Sequence, residues 1–367
     1  MPWYEAKPHS PHWGWHWTMG VFDPDGKTAG KPTIASHYQP LIGPYDSGDP
    51  DVIEYHALLM KLAGIDGAVF DWYGTAELFD YAGIHRHASA FADQAARTGL
   101  EVAVCYEDQT IPKLVEAGKV KPAGRVGHAQ AEIDWLRKNW FGRPSYLKLD
   151  GRPVLLSFGR DGLTDGEWSS VLGGPANAPL YLSEHTRRTA AAGAFDWPVP
   201  QAGTKAQDSF YKEAKTWPAA MAVAFPRFHD IYEQAKLHKS WGTIDDNAGK
   251  TFTSTLKAAF KSGLPLIQIS TWNDWGEGTV IEPSVEFGYR DLEVVQRLRR
   301  QFIEPEFPCQ PADLRLPLRI FKLRKQARKR GIPAAALDEA AALVSKRASS
   351  VASERLEEIE KEMPAEP

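Results

Sequence analysis

Residues 264–283 read LPLIQISTWNDWGEGTVIEP, and their order decides the fold. The apolar run LPLIQIS passes without a spacer into three carboxylates (Asp274, Glu277, Glu282), two tryptophans (Trp272, Trp275) and two glycines (Gly276, Gly278). A continuous apolar run, as opposed to an alternating one, is the mark of a strand covered on both faces, as in parallel α/β sheets. Six other stretches follow the same rule. They are DGAVFDWYG (66–74), LEVAVCYED (100–108), RPVLLSFGR (152–160), APLYLSEH (178–185), GAFDWPVP (193–200) and AMAVAFPRFHD (220–230), each apolar and then polar or aromatic. Helical segments fall between several of them. Asp49 is placed to cap a helix with Pro50 at its first position, Val52, Tyr55, Leu59 and Leu62 form its apolar stripe, and Gly64 ends it. A second helix is expected through HASAFADQAARTG (87–99), again closed by a glycine.

Strand–helix alternation of this length predicts an α/β fold, a (β/α)8 TIM-type barrel or an open doubly wound sheet. A closed barrel needs eight strands and the runs number seven. The expectation is that MPWYE is the tail of strand one, the rest of that strand lying upstream of Met1. Past residue 302 the character changes. EPEFPCQPADLRLP reads as a proline-rich linker, RIFKLRKQARKR as a solvated basic helix face, and the alanine- and leucine-rich remainder as two or three helices. The expected organisation is a catalytic barrel over 1–303 and a linker with a helical C-terminal extension over 304–367.

Composition narrows the function. A net charge of -4, with 43 basic against 47 acidic residues, gives no nucleic-acid footprint. No apolar stretch approaches the roughly 18 residues that cross a membrane. The first twenty residues lack a charged segment leading into an apolar one, so no signal peptide is expected in the chain as given, and secretion or periplasmic export only if more chain precedes Met1. Cys105 and Cys309 match neither a disulfide framework nor a metal motif, and Cys105 reads as a small core residue. Thirteen tryptophans are many for this length, and exposed aromatic faces are what sugar rings stack on.

Active sites of barrels lie at the C-terminal strand ends. There the runs offer Asp71–Trp72–Tyr73, Tyr106–Glu107–Asp108, Ser157–Phe158, Glu184–His185, Asp196–Trp197, Arg227 to Asp230, and Thr271 to Glu277. No HExxH, GxSxG or phosphate-binding glycine loop occurs, and neither metal nor cofactor is expected. What remains is carboxylates lined by aromatic rings, which suits cleavage of glycosidic bonds. That reaction asks one carboxyl group to be protonated and another ionised. Asp274 and Glu277, three residues apart beyond a strand, are the best pair, because two neighbouring acids drive their pKa values apart. The competing reading makes Asp274 a turn cap and Glu277 a surface salt bridge.

TWNDWGEGTVIEP resembles the motif of glycoside hydrolase family 71/99-like proteins, especially the endo-α-mannosidase and endo-α-mannanase group, whose pattern is close to Asn-Glu-Trp-His-Glu-Gly-Thr-Gln-Ile-Glu. PWYE is similar to that family's Tyr-Pro-Trp-Tyr-Gly at the end of strand one, and residues 40–74 to its segment leading into strand two. The resemblance covers roughly residues 2–300. It implies a (β/α)8 barrel acting on α-linked oligo- or polysaccharide with retention. It also implies roles: Asp274 deprotonates the sugar's own 2-hydroxyl, Glu277 serves as general acid and then base, Glu107 binds sugar, and Tyr4 and Tyr73 contact it. Two positions depart from the family, Asp274 for Glu and Gly276 for His. These changes leave open the sugar, direct nucleophilic attack, and inversion.

HWGWHW (12–17) reads as a substrate-stacking loop over the cleft, with Trp13 and Trp15 as candidate sugar contacts beside Trp3, Trp272 and Asn273. Glu282 reads as structural. Three functions stand together: a glycoside hydrolase, a non-catalytic carbohydrate-binding protein with the same barrel, and a glycan-biosynthesis-associated protein.

Overall fold

The computed structural model describes residues 1–173, 178–331 and 334–362. Its contacts divide into two compact units. One comprises Met1–Trp3, Ala68–Ser89 and Glu101–Val280, and the other Tyr4–Gly67, Ala90–Leu100 and Ile281–Pro367.

The first unit is built on a curled sheet of the (β/α)8 type. Its strands are β1 (Gly67–Trp72), β2 (Glu101–Glu107), β3 (Arg152–Phe158), β4 (Leu180–Glu184), β5 (Gly193–Phe195), β6 (Ala219–Ala224) and β7 (Leu266–Ile269). They are the seven runs of the sequence, and they lie side by side in chain order from β1 to β7. Pairing is parallel from β2 onward, with Cys105 opposite Leu156, Leu182 opposite Gly193, and Ile269 opposite Ala224. Every residue of β6 is buried, so the run AAMAVA is apolar because both its faces are covered. Cys105 packs with Val154, Leu156, Leu180, Leu182, Phe195, Ala219 and Met221 in one core cluster, a small buried residue as expected. Gly193 is required where β5 meets β6, since a Cβ there would lie 1.6 Å from the Ala219 carbonyl oxygen. Met1–Trp3 stand beside the residues that follow both outer strands. Asn273 Nδ2, beyond β7, donates to the Met1 carbonyl at 3.1 Å, and His87 Nδ1, beyond β1, lies 3.0 Å from the Pro2 carbonyl.

The second unit is mainly helical. Helix α1 (Pro50–Ala63) starts where the sequence placed it: Asp49 Oδ1 accepts from the Asp51 backbone N–H at 2.9 Å, and Gly64 closes it in the left-handed region at φ 83°. Val52, Tyr55, Leu59 and Leu62 are all buried. Helix α2 (Tyr81–Thr98), whose residues up to Ser89 belong to the first unit and the rest to the second, begins six residues before the expected one. Its buried positions Tyr81, Ile84, Ala88, Ala92 and Ala95 carry the helical period across that whole span. Helices α3 (Leu316–Arg330), α4 (Ala335–Ser345) and α5 (Ser349–Glu362) form the C-terminal extension. The basic stretch, read as a solvated face, instead turns cations to the acids of α1. Arg324 forks onto Glu54, Arg328 onto Asp51 at 2.8 and 2.9 Å, and Lys325 reaches Asp49. Such bidentate pairs hold orientation as well as charge. Residues 363–367 of the expected extension lie outside the described residues.

Candidate active site

The loop after β7 is closed on itself by its own polar groups. Thr271 and Thr279 join its two ends, backbone N–H to carbonyl at 2.9 Å and hydroxyl to hydroxyl at 2.9 Å. The Thr271 hydroxyl accepts from the Asp274 N–H at 2.8 Å, Asp274 Oδ1 accepts from the Glu277 N–H at 3.0 Å, and the Gly278 N–H reaches the Asp274 carbonyl at 3.0 Å. Gly278 takes φ 67°, which lets the chain turn back. A second segment, following β6, fixes this loop from the side: the His229 N–H donates to the Glu277 carbonyl at 2.8 Å and the Ile231 N–H to the Gly276 carbonyl at 2.9 Å. The carboxylates are thus held by a rigid frame.

Asp274 does cap a turn, and among the described residues Glu277 forms no surface salt bridge. The Glu277 side chain is buried, and its Oε2 has no hydrogen-bond partner among the described residues. Burial drives its pKa well up, and the charges of Asp274, Asp230, Glu184 and Asp71 add to that. Glu107, at the end of β2, is raised by burial and then by Asp71, Glu184, Asp108 and Glu277. Asp71, at the end of β1, is pushed up to about 7, first by burial and further by Asp274 and Glu184, against the pull of the Met1 amino group. Carboxylates from five strand ends therefore feel one another within a single region. A buried acid that keeps its proton near neutrality can donate it to a leaving group, and an ionised neighbour can take one.

Asp71, Glu184 and Asp230 stood among the strand-end residues of the sequence without being singled out. Their place in the cluster comes from the topology, which sets sequentially distant strand ends side by side. His185, at φ 55°, has Nδ1 3.1 Å from Asp196 Oδ1 and Nε2 3.6 Å from Glu184 Oε1. Its pKa is raised: burial opposes protonation, and the hydrogen bond to Asp196 and the charge of Glu184 outweigh it. Asp108, adjacent to Glu107, serves the scaffold by accepting from the Trp168 indole at 2.8 Å and the Leu163 N–H at 3.1 Å. Among the described residues no three His, Cys, Asp or Glu side chains group as metal ligands.

The remaining expected sugar contacts divide between the units. In the first, Trp3 and Tyr73 have ring centroids 6.2 Å apart, Trp272 is partly exposed, and Asn273 is hydrogen-bonded to Met1. Trp275, expected to flank the acids, is fully buried and belongs to the frame. In the second unit Tyr4 is also fully buried, its ring tilted by 34° against Trp17 at 4.1 Å and edge-on to Tyr45 at 5.6 Å. Trp17 is therefore core, unlike Trp15, which is half exposed, and Trp13, whose indole donates to Asp25 at 2.9 Å. Glu282 is buried in the same unit, accepting from the Tyr45 hydroxyl at 2.7 Å and lying 3.1 Å from His56 Nε2. Arg227 is likewise built in, donating to Asp246 and to the Val280 carbonyl.

No family model matches the chain. It is 24% identical over 303 residues to the glycoprotein endo-alpha-1,2-mannosidase-like protein of Danio rerio, covering 75% of this chain and 65% of that protein. It is 23% identical over 291 residues to the glycoprotein endo-alpha-1,2-mannosidase of Mus musculus, with shares of 74% and 62%. The chain thus spans less than two thirds of these relatives' length. Among solved structures, the GH99 endo-alpha-mannosidase from Bacteroides thetaiotaomicron superposes with a TM-score of 0.62 at 19% identity, over 81% of this chain and 93% of that one. A structure described as a glycoside hydrolase-like protein gives 0.56 at 13% identity, over 72% and 89%. The shared fold is the (β/α)8 type. In sequence and fold together the chain is similar to glycoside hydrolase family 99, the second of the two families its motif suggests.

Proposed function

We propose that this chain is a glycoside hydrolase that cleaves α-linked bonds of an oligo- or polysaccharide with retention, using Asp274 and Glu277. The observation that carries the reading is the buried Glu277, its pKa driven up by burial and by neighbouring carboxylates, joined by one turn to a second carboxylate. In the first step Asp274 takes the proton of the sugar's own 2-hydroxyl, and that oxygen attacks the anomeric carbon. The glycosidic C–O bond breaks as Glu277 gives its proton to the leaving oxygen. In the second step Glu277, now ionised, takes a proton from water, whose oxygen opens the 1,2-anhydro ring, and Asp274 returns its proton to O2. Both carboxyl groups end as they began. Burial helps the acid twice, by holding its proton and by strengthening each charge interaction in a water-poor site. Glu107 and Trp272 would bind the sugar that is cleaved. The names of the relatives make α-1,2-linked mannosides the first substrates to try.

The experiment is Glu277→Gln with a panel of α-linked glycans. Turnover should fall by about three orders of magnitude or more while binding stays within about threefold, the pattern of a lost general acid. An unchanged rate would remove Glu277 from the chemistry. The non-catalytic reading draws on one observation, that Asp274 Oδ1 is engaged in the turn. It would prevail if wild type and variant both bound a glycan and were both inert on it.

A further inference from the structure

Trp241 is nearly half exposed, whereas Trp72, Trp168 and Trp275 of the same unit are fully buried. It lies in the segment between β6 and β7, the one whose residues 229 and 231 donate to the Glu277 and Gly276 carbonyls. Its backbone is pinned from two sides. The Trp241 N–H donates to Asp230 Oδ2 at 2.9 Å, and its carbonyl accepts from Gln201 Nε2 at 2.6 Å. Asp230 is one of the carboxylates whose charge Glu277 feels. The indole is braced by rings: His238 stacks on it at 4.9 Å and 21°, Tyr232 meets it edge-on at 5.1 Å, and Phe228 stands 6.5 Å away. The short antiparallel pair of Phe228–His229 with Thr243–Ile244 closes the base of this excursion.

A lone exposed tryptophan is ordinary on a protein surface, so exposure by itself marks nothing. This one is held rigid, and its mount is hydrogen-bonded to the loop carrying the acid. We propose that Trp241 is a sugar-stacking platform for a ring of the glycan beyond the unit being cleaved. The occupant is a glycan because the segment carrying Trp241 is hydrogen-bonded, at residues 229 and 231, to the loop that carries Glu277, and because a braced flat indole matches the C–H face of a pyranose at little ordering cost to the protein. The inference rests on the hydrolase reading and extends it: the substrate must be long enough to reach from Glu277 to Trp241.

The test compares Trp241→Ala and Trp241→Phe with wild type on α-linked oligosaccharides of increasing length. KM for the long ones should rise about tenfold in the alanine variant and less in the phenylalanine variant, with kcat and the shortest cleaved substrate unaffected. Unaltered melting temperatures check that both variants fold. An equal effect at every length, or none, overturns the platform while leaving the hydrolase reading intact. The failure of that reading would show separately, as full activity in Glu277→Gln. If no glycan is turned over, calorimetric titration of the same oligosaccharides decides: length-dependent binding that Trp241→Ala weakens supports the platform, and its absence overturns it.

Discussion

Replacing Asp71 by Asn removes one charge from the carboxylate cluster and keeps the shape of the side chain. Its folded-state pKa is about 7 against an ordinary 3.8, chiefly through burial. The folded protein therefore binds more protons than the unfolded chain between these values, and stability falls as pH rises from about 4 to about 7. Below pH 4 the group is protonated in both states and costs nothing. Above pH 7 it is ionised in both, and the folded state carries the full penalty. At 1.36 kcal/mol per unit, a difference of about 3 units sets a ceiling of about 4 kcal/mol. Glu107 and Glu277 share the same field and will take up part of the relief, so about 1–3 kcal/mol is expected in practice. Urea unfolding of wild type and Asp71→Asn at pH 4, 5.5, 7 and 8 measures it. The two proteins should match at pH 4, diverge up to about pH 7 and keep a constant difference to pH 8, with Asn the more stable. Activity supplies a second readout. Without the Asp71 charge Glu277 releases its proton more easily, so the alkaline limb of kcat/KM should move to lower pH. A stability difference independent of pH, or an alkaline limb that moves upward, would refute the account.

The backbone offers a sharp contrast between two glycines. Gly193→Ala should cost at least about 3 kcal/mol or prevent folding, because its Cβ would meet the Ala219 carbonyl at 1.6 Å within the β5–β6 pair. Gly166→Ala, in the helix Asp165–Leu172 with nothing within 4 Å of the added carbon, should gain about 0.5–1 kcal/mol, and thermal melts of the two variants test both. Asp274→Glu restores the residue that the resembled motif has, yet it should lower the melting temperature by a few degrees and kcat by about tenfold or more. Calorimetry and initial rates check this, and a gain in both would show that the Asp is merely a weakened Glu.

The strands were legible because burial on both faces leaves a run of apolar residues that needs no partner to be seen. Gly193 shows the limit of that legibility: the sequence marks the strand GAF but not the 1.6 Å reason why nothing larger fits. Helix α2 was found only from residue 87, since Gly83 and His85 interrupt the pattern before it, and the buried Tyr81 and Ile84 count only once the helix has something to pack on. In the site, Asp274 and Glu277 could be paired from one loop because local spacing brings them together. Asp71, Glu184 and Asp230 come from other strand ends, and their mutual repulsion arises only when the sheet curls. The aromatic residues misled in the opposite direction. Trp17, in the expected stacking loop, and Tyr4, an expected sugar contact, are both buried by the fold, while Trp241 sits in a segment with no strand or helix signal and is left in solvent.

The two readings of Asp274, turn cap and catalytic base, are compatible. A carboxylate has about four acceptor sites, and the Glu277 N–H takes one of them, on Oδ1. The same hydrogen bond joins the two acids through a single turn, so any shift of Asp274 also moves the backbone from which Glu277 projects. A glutamate at this position would carry its carboxylate one methylene farther from the turn and could hold the Glu277 N–H only by bending back. Capping from an N-cap-like position favours the short side chains Asp, Asn and Ser for this reason. The shorter acid at 274 therefore suits this loop, with its Thr271–Thr279 clasp and its Gly276, as a part made to fit it. Under the proposed mechanism the substrate, and not the protein, would supply the missing reach: the 2-hydroxyl would approach Asp274 more closely than it would a glutamate.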